Sequence, residues 1–336
     1  MERIVVPLLE RDKSQTVALE GVGVASLLLG VPAQDDCAAY SIKGDVVLVA
    51  GSDYIRGVGF DLYRMGYLNE YDLGWYLAGA NFSDVVSMGA KPLGLLSVIR
   101  YPKDLPDEVF ASILEGVADS CRSIGAINVG GDIGSAESVV LSASAFGLVE
   151  PQSLLRRGGA QVGDYLIVTG QTGEAGAAMK LARAEKLATV DEAERSKLLG
   201  RWRRVRPRVD AGRLLATSGF ATACVDTSDG LKAAITAIAS SSNVMIVVEA
   251  DWVPVSKGLN RAAALLECPV ESLVFGDSVD FELVATVRPE GLETVLRKCN
   301  DKGLSFHVIG RVESGMGTRF RTREGDTEIP GREWRH

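Results

Sequence analysis

The chain alternates short β-branched apolar runs with segments of helical periodicity along most of its length. Residues 45–50 form one such run, and residues 109–124 place their apolar side chains on one face of a helix. A β-branched run predicts a buried strand, and an apolar helical face predicts a helix packed on a sheet. Because strands and helices interleave in both halves, we predict a layered α/β (α+β) fold.

A glycine-bearing break separates the two halves. It spans residues 150–164 and contains one proline and three glycines. Such a segment is typical of a linker between domains, and 336 residues are enough for two domains. We therefore predict an N-terminal domain over residues 1–149 and a C-terminal domain over residues 150–336.

The same patterns predict the individual elements, although they leave the direction of neighbouring strands open. The predicted strands cover residues 45–50, 93–99, 126–129, 138–149, 165–169, 221–225, 243–248, 281–287 and 306–309. The predicted helices cover residues 72–88, 106–124, 174–185, 187–200, 208–218, 230–240, 251–268 and 289–302.

Composition argues against several classes of protein. The chain has 36 Lys and Arg against 44 Asp and Glu, and this acidic balance disfavours non-specific binding of nucleic acid. The two histidines, His307 and His336, are too few for a histidine-rich metal site. The longest apolar runs are too short to cross a bilayer, so we expect neither nucleic acid nor membrane as a partner.

The cysteines indicate a reducing compartment. Their number is odd, and no two of them form a CxxC pair, which disfavours structural zinc and thioredoxin-type chemistry. No signal-peptide pattern follows Met1. We expect buried, reduced thiols in a soluble cytoplasmic protein. The cysteines are Cys37, Cys121, Cys224, Cys268 and Cys299.

Aspartates recur in short turns, most of them beside predicted strand ends. A single turn aspartate is more often a helix cap or an Asx-turn than a functional group. If the whole set converges, however, cations or protons must relieve its mutual repulsion. Oxygen donors without imidazole or thiolate are the ligands of Mg²⁺ or Ca²⁺, and Mg²⁺ on carboxylates usually serves phosphate chemistry. The aspartates are Asp35, Asp36, Asp53, Asp84, Asp132, Asp226 and Asp229.

Three other features have two interpretations each. Residues 170–176 lack the Lys-Ser/Thr ending of a phosphate loop, so we interpret them as a tight strand-to-helix turn. The basic stretch over residues 201–208 is either an anion-binding patch or a solvated connector, and the acidic chain favours the connector. Arg156 and Arg157 are either partners of a bound phosphate or a surface pair.

Several short motifs rich in aspartate and glycine follow one another along the chain. They are Gln34-Asp35-Asp36-Cys37-Ala38, Gly51-Ser52-Asp53, Asn81-Phe82-Ser83-Asp84 with Met88-Gly89-Ala90-Lys91-Pro92, Gly130-Gly131-Asp132, Arg157-Gly158-Gly159-Ala160, Asp226-Thr227-Ser228-Asp229-Gly230-Leu231 and Asp280-Phe281-Glu282-Leu283. Seen together and in this order, they resemble the motifs of the thiamine-monophosphate kinase family. That family lies within the superfamily of aminoimidazole ribonucleotide synthetase-like (PurM-like) ATP-binding proteins.

The resemblance implies a PurM-like two-domain fold, a homodimer formed through the N-terminal domains, and a kinase that uses Mg²⁺ and ATP. It implies in-line transfer of the γ-phosphoryl group to thiamine monophosphate, whose phosphate needs no general base. The implied metal ligands are Asp36, Ser52, Asp53, Asp84, Asp132, Asp226 and Asp229. The implied ATP contacts are Gly131, Asp132, Arg157 and Ser228. The implied catalytic residues are Asp132, Arg157 and Asp229.

The chain departs from this family at the positions that face the substrate. Gly59 stands where the family has a histidine, and Val279 stands where it has a glutamate, with Asp277 nearby. Gln34 replaces the first glycine of the Gly-Asp-Asp motif, which changes the backbone conformations that the loop can adopt. These changes favour, as an alternative, a diverged enzyme that activates an amide or carboxamide oxygen or another phosphate. A non-catalytic nucleotide-binding protein is disfavoured, because unused clustered carboxylates repel one another.

Overall fold

A first sheet forms the N-terminal half of the chain. The structure, a computed structural model, describes residues 16–19, 23–29, 35–42 and 45–332. Within those ranges seven strands pair in the order β1-β2-β3-β4-β7-β5-β6, and only the β5–β6 pair is parallel. The strands are β1 Thr16–Leu19, β2 Gly23–Leu29, β3 Ala38–Ile42, β4 Val46–Ile55, β5 Lys91–Tyr101, β6 Ile127–Ser135 and β7 Val140–Val149. The helices of this half are α1 Asp61–Arg64, α2 Glu70–Ser87 and α3 Asp107–Ser123.

A second sheet forms the C-terminal half. Its seven described strands pair in the order β14-β13-β10-β12-β8-β11-β9, and only the β10–β13 pair is parallel. The strands are β8 Tyr165–Thr169, β9 Ala221–Asp226, β10 Met245–Glu249, β11 Leu283–Val287, β12 Phe306–Glu313, β13 Gly317–Thr322 and β14 Gly325–Thr327. The helices are α4 Glu174–Arg183, α5 Glu192–Arg203, α6 Val209–Ser218, α7 Leu231–Ser242, α8 Lys257–Leu266, α9 Glu271–Val274 and α10 Pro289–Asp301.

Helix α2 lies between the two halves. It begins with a capping box, in which the Asn69 side chain accepts from the Asp72 N–H at 3.0 Å and the Asp72 side chain accepts from the Asn69 N–H at 3.1 Å. It packs on α3 and on β4, β5 and β7, and it also contacts β9, α5 and α6 of the second half. Because both halves cover α2, polar side chains on this helix are held in the interior of the molecule.

The layered α/β fold is confirmed, but several strands are longer than predicted, and two of these carry predicted site residues. β4 runs to Ile55, so Ser52 and Asp53 lie within a strand and not in the turn after it. β6 runs to Ser135, so Gly131 and Asp132 also lie within a strand. Pairing with β7 and β5 extends both ladders through glycine and aspartate, residues of low β propensity, because tertiary pairing overrides local preference.

Several other boundaries differ from the predictions for local reasons. Helix α8 begins at Lys257 and not at residue 251, because the Ser256 hydroxyl caps it by accepting from the Leu259 N–H at 3.0 Å. Helix α5 begins after its own cap, Asp191, and ends at Arg203. The short strands β1, β2, β3, β13 and β14 were not among the predicted elements.

The prediction of buried thiols holds for four of the five cysteines. All five thiols are free, and every one except Cys268 is buried. Gln34 and His336, named above, lie outside the described residues. None of the helices in the described part of the chain is both long and apolar enough to span a lipid bilayer.

Candidate active site

Three of the predicted aspartates meet where α2 lies between β4 and the end of β9. Asp53 is on β4, Asp84 is on α2, and Asp226 is the last residue of β9. The Asp53 N–H donates to the Asn81 side chain at 3.0 Å, and this bond ties the strand to the helix. Residues separated by up to 173 positions in the sequence are therefore brought to one site.

Asp226 is held by hydroxyl groups. Its carboxylate is 4% exposed and accepts from the hydroxyl of Ser83 and, at 2.7 Å, from that of Ser228. Burial, followed by the charge of Asp36, raises the pKa of Asp226 to about 6. Burial and then the charges of Asp226, Asp36 and Asp53 raise the pKa of Asp84 well above its ordinary value. The carboxylates are therefore close enough to destabilise one another.

Asp36 forms an ion pair with Arg157. Its carboxylate accepts from the Arg157 guanidinium at 2.5 Å and from the Ser87 hydroxyl at 2.5 Å. Asp35 accepts from the Arg157 N–H at 3.2 Å, and burial raises the pKa of Asp35. The interpretation of Arg156 and Arg157 as a surface pair is wrong for Arg157, whose side chain is 27% exposed and points at this site. Arg156 itself is exposed.

A cleft of about 540 Å³ adjoins these carboxylates. Asp53, Asp84, Ser228 and Asp229 line one end of it. The three predicted substrate positions line the same cleft and are Gly59, Asp277 and Val279. The structure thus brings predicted metal positions and predicted substrate positions to one cavity.

The wall of the cleft is aromatic, which the sequence did not reveal. Phe60, Tyr76, Trp202 and Phe281 line it and contact one another, with ring centroids 5.0 to 5.6 Å apart. Each ring is nearly buried, so its position in the sequence pattern is that of an ordinary core residue. Only the contact between residues of both halves distinguishes this cluster from a core.

Ion pairs border the substrate end of the cleft. Lys180 lies 3.0 Å from Asp277, and Arg183 lies 2.7 Å from Asp61. Asp277, the carboxylate that could act in place of the missing glutamate, is thus already paired with a cation. Val279 presents an apolar side chain beside it.

Two of the predicted ligands lie on the other face of the first sheet. Register places Ser52 beside Ser144, and it places Asp132 beside Val98, on the face that points away from α2. Asp132 is 69% exposed and pairs with Arg100. Gly131 lies on the inner side, where a Cβ would be 1.7 Å from the Ser97 carbonyl. Within one chain, Ser52 and Asp132 are therefore not brought to the cleft.

The solvated connector predicted over residues 201–208 is wrong, and the anion patch is not supported either. Arg201 pairs with Glu174 and Glu282, Arg208 pairs with Glu282, and Arg204 pairs with Asp72 at 2.6 Å. Arg206 is exposed. The basic side chains neutralise buried carboxylates of the same chain, which charge counting along the sequence cannot show.

The turn over residues 170–176 is structural, as predicted. Gly173 adopts φ +96° at the start of α4, and the buried Asp280 carboxylate accepts from the Gly173 and Ala175 N–H groups at 2.5 and 3.0 Å. A carboxylate at a helix N-terminus satisfies N–H groups that have no partner within the helix. Asp280, the first residue of the motif Asp280-Phe281-Glu282-Leu283, thus caps a helix.

The donor set of the acidic end suits Mg²⁺. It consists of carboxylate and hydroxyl oxygens. The raised pKa values of Asp84 and Asp226 mean that their charged forms are destabilised, and a bound cation would stabilise them. Across residues 35–42 and 45–332, no three acidic, histidine or cysteine side chains lie close enough to hold a metal ion unaided. Mg²⁺ suits such a site, because it usually takes only one or two carboxylates and completes its shell with water and phosphate.

Comparison with known proteins gives matches to both halves of the chain. The family model described as AIR synthase related protein, N-terminal domain, matches residues 34–149, and the corresponding C-terminal domain model matches residues 161–322. A thiamine-monophosphate kinase of Halobacterium salinarum is 34% identical over 289 residues, which are 83% of this chain and 92% of that protein.

Two solved structures are similar over nearly the whole chain. The complex of AaThiL with AMPPCP and TMP has a TM-score of 0.79 at 25% identity, and the match covers 99% of this chain and 96% of that one. The thiamine-monophosphate kinase of Stenotrophomonas maltophilia has a TM-score of 0.75 at 29% identity, covering 95% of this chain and 94% of that one.

Proposed function

The chain belongs to the thiamine-monophosphate kinase family of the AIR synthase related proteins, a family of ATP-dependent kinases, and we propose that it transfers the γ-phosphoryl group of Mg²⁺-bound ATP to thiamine monophosphate. The observation that carries the proposal is the single cleft that joins an acidic end to an aromatic end. The acidic end suits metal-bound triphosphate, and the aromatic end suits a flat acceptor ring.

The proposed metal ligands are Asp53, Asp84 and Asp229, which line the cleft, with Asp226 and Asp36 beside them. When bound, Mg²⁺ neutralises the charge that develops on the phosphoryl oxygens during transfer. Ser228, which donates to Asp226 at 2.7 Å, fixes the loop that carries Asp229.

Arg157 is the proposed phosphate-binding cation. Its side chain is half-buried at the acidic end, and its buried Nε has no hydrogen-bond partner among the described residues. A guanidinium offers donors in a planar fork that matches phosphate oxygens. Because an acceptor phosphate is already deprotonated, the chain needs no general base, and Arg157 stabilises the charge on the transferred group.

Ser52 and Asp132 remain proposed metal ligands that act in a homodimer, and Gly131 remains a proposed ATP contact. The outer face of the first sheet exposes the apolar side chains of Leu96 and Val98 next to Asp132. An exposed apolar face of this kind is typical of a protein interface. We propose that a second copy of the chain covers it and thereby encloses Ser52 and Asp132 near the nucleotide. The free thiols support a cytoplasmic location for this dimer.

A second acceptor class is favoured by one observation. The carboxylate that could face a cationic thiazolium, Asp277, is paired with Lys180 at 3.0 Å, and Val279 beside it is apolar. A neutral or anionic acceptor needs no carboxylate partner, so this arrangement does not weaken its binding. The alternative is therefore a kinase of the same mechanism that phosphorylates another phosphate or a carboxamide oxygen.

The test is transfer of label from γ-³²P-ATP with Mg²⁺, first to thiamine monophosphate and then to a panel of other phosphate esters and amides. Labelled thiamine diphosphate is the expected product. Label on another acceptor with none on thiamine monophosphate would replace the substrate but keep the kinase. Mg²⁺-dependent nucleotide binding without transfer to any acceptor would contradict the proposed function.

A further inference from the structure

Phe281, in the aromatic wall of the cleft, has an unusual backbone conformation. Its φ is +52°, a left-handed conformation that a bulky side chain rarely adopts. Its ring lines the cleft and contacts Tyr76 of α2, with centroids 5.6 Å apart. Such a conformation persists only where the surroundings over-determine it, and it occurs mostly at functional sites.

Asp280 fixes the backbone on one side of Phe281. As described above, its carboxylate binds N–H groups at the start of α4, and it also accepts from the Ser278 hydroxyl at 2.6 Å. Ser278 in turn accepts from the Gly176 N–H at 2.8 Å. The segment before Phe281 is therefore fastened to the first turn of α4.

Glu282 fixes the backbone on the other side. Its N–H donates to the Thr227 hydroxyl at 2.9 Å, and its carbonyl accepts from the Thr227 N–H at 2.8 Å. Thr227 lies between Asp226 and Ser228, in the loop that carries the proposed metal ligands. The aromatic wall and the acidic loop are thus joined by a pair of hydrogen bonds through neighbouring residues.

Arg201 connects the two sides by pairing with a carboxylate on each. Its guanidinium lies 2.8 Å from Glu282 and 2.9 Å from Glu174, the first residue of α4, and both carboxylates are about 1% exposed. Arg208 binds Glu282 from a second direction at 2.5 Å. The planar guanidinium of Arg201 therefore links the start of α4 to Glu282, the residue directly before strand β11.

We propose that Arg201 and Glu282 are positioning residues for phosphoryl transfer. They set the distance between the acceptor, which lies against Phe281, and the loop over residues 226–229, which holds the metal-bound nucleotide. The proposal rests on the proposed function, because that function places both reactants in this cleft. Arg201, in contrast to the rest of the basic stretch, is thereby part of the catalytic scaffold and not of a binding surface.

The expected signature is loss of rate without loss of nucleotide binding. A shift of about 1 Å between reactants costs on the order of a hundredfold in rate. Lysine presents a point charge in place of a fork and cannot bridge Glu174 and Glu282. Arg201→Lys should therefore lower kcat by roughly 10- to 100-fold, while the Kd of Mg²⁺-AMPPCP, measured by calorimetry, changes by less than about threefold.

Arg204→Lys is the matched control. Arg204 lies in the same stretch and pairs with a buried carboxylate, but that carboxylate belongs to Asp72 and not to Glu174 or Glu282. Its guanidinium packs over Tyr71 and Trp75. Its kcat should stay within about twofold of the wild type. A second variant, Thr227→Val, removes the hydroxyl that binds Glu282 but leaves the ion pairs in place, and it should reproduce the loss of kcat.

Hydrogen exchange provides a readout that does not depend on activity. Arg201→Lys should speed exchange in both residues 226–230 and residues 279–283, whereas Arg204→Lys should leave both unchanged. Equal kcat in Arg201→Lys and wild type, or faster exchange in only one of the two segments, would overturn the positioning role. If the wild type transfers no phosphoryl group, the proposed function fails, and the exchange result still decides whether Arg201 couples the two segments.

Discussion

At the scale of single residues, the acidic end of the cleft lowers the stability of the fold. Asp84 carries a pKa raised by burial and by three neighbouring carboxylates. A carboxyl group whose pKa is raised in the folded state binds protons more readily there than in the unfolded chain. Its cost is therefore absent in acid and fully present once the pH exceeds the pKa of the folded state.

Asp84→Asn should stabilise the metal-free protein at neutral pH, since it removes one of the repelling charges. We expect a gain on the order of 1 kcal/mol in the free energy of unfolding, measured by urea denaturation in EDTA. The gain should shrink as the pH falls through the folded-state pKa of Asp84, because the wild-type carboxyl group is then protonated. The same variant should lose the stabilisation that Mg²⁺-ATP gives to the wild type.

A loss of stability in Asp84→Asn at neutral pH would contradict this account of the site. Ser87→Ala is a suitable control, because Ser87 also lies on α2 and binds Asp36, but its removal takes away no charge. It should not stabilise the protein in EDTA.

The residue scale was also where the sequence was most informative. The motif positions Asp53, Asp84, Ser228 and Asp229 line one cleft. The sequence could not show that Asp36 faces Arg157 or that Phe281 is left-handed, because both depend on contacts across more than 50 residues of chain. Which carboxylates act in catalysis stays a prediction for the experiments above.

At the scale of elements, α2 determines the geometry of the site. It carries Asn81, Ser83 and Asp84, and its position depends on close packing against α3. Gly74 makes that packing feasible, because a Cβ there would lie 1.9 Å from the Ile113 carbonyl oxygen. A sequence pattern shows that a glycine interrupts a helix, but not that a neighbouring backbone requires it.

Gly74→Ala should push α2 away from α3 and destabilise the protein by about 1–3 kcal/mol, the usual cost of overpacking. Because α2 also carries Asp84, the affinity for Mg²⁺-AMPPCP should fall in parallel. Gly200→Ala is the matched control, since Gly200 lies in α5 with no atom within 4 Å of its added Cβ. That variant should be more stable than the wild type by roughly 0.5–1 kcal/mol, and equal thermal denaturation of the two variants would contradict the packing argument.

Elements were predicted well where a helical pattern extends over many residues. They were predicted poorly where pairing with a distant strand sets the boundary. Helices α2, α3 and α10 begin and end within two residues of the predicted bounds. The extension of β4 through Ser52 and Asp53, and of β6 through Asp132, depends on ladders with distant strands. The face on which each of these side chains lies follows from those ladders and was therefore out of reach of the sequence.

At the scale of the whole molecule, the two sheets share α2, and the first sheet exposes its other face. That face presents Tyr54, Leu96 and Val98 beside Ser52 and Asp132. A second chain that covers this apolar face explains why motif residues lie on both sides of the first sheet. The complete site, on this view, belongs to a pair of chains.

The protein should therefore sediment at twice the 35.7 kDa mass of the chain. Leu96→Glu should yield monomers with strongly reduced kinase activity, because a charge on the buried face opposes association. Leu265→Glu, which places the same charge on an exposed residue of α8, should leave the mass and activity unchanged. A monomeric wild type, or a dimer that persists in Leu96→Glu, would refute this interface.

The central claim is that the carboxylates around this cleft bind nucleotide through Mg²⁺, and calorimetric titration with AMPPCP tests it most directly. Wild-type protein should bind the analogue in Mg²⁺ and lose at least about tenfold in affinity in EDTA. Asp226→Asn, with its fold verified by circular dichroism, should bind weakly under both conditions. Equal affinity with and without Mg²⁺, or undiminished Mg²⁺-dependent binding by Asp226→Asn, would contradict the account.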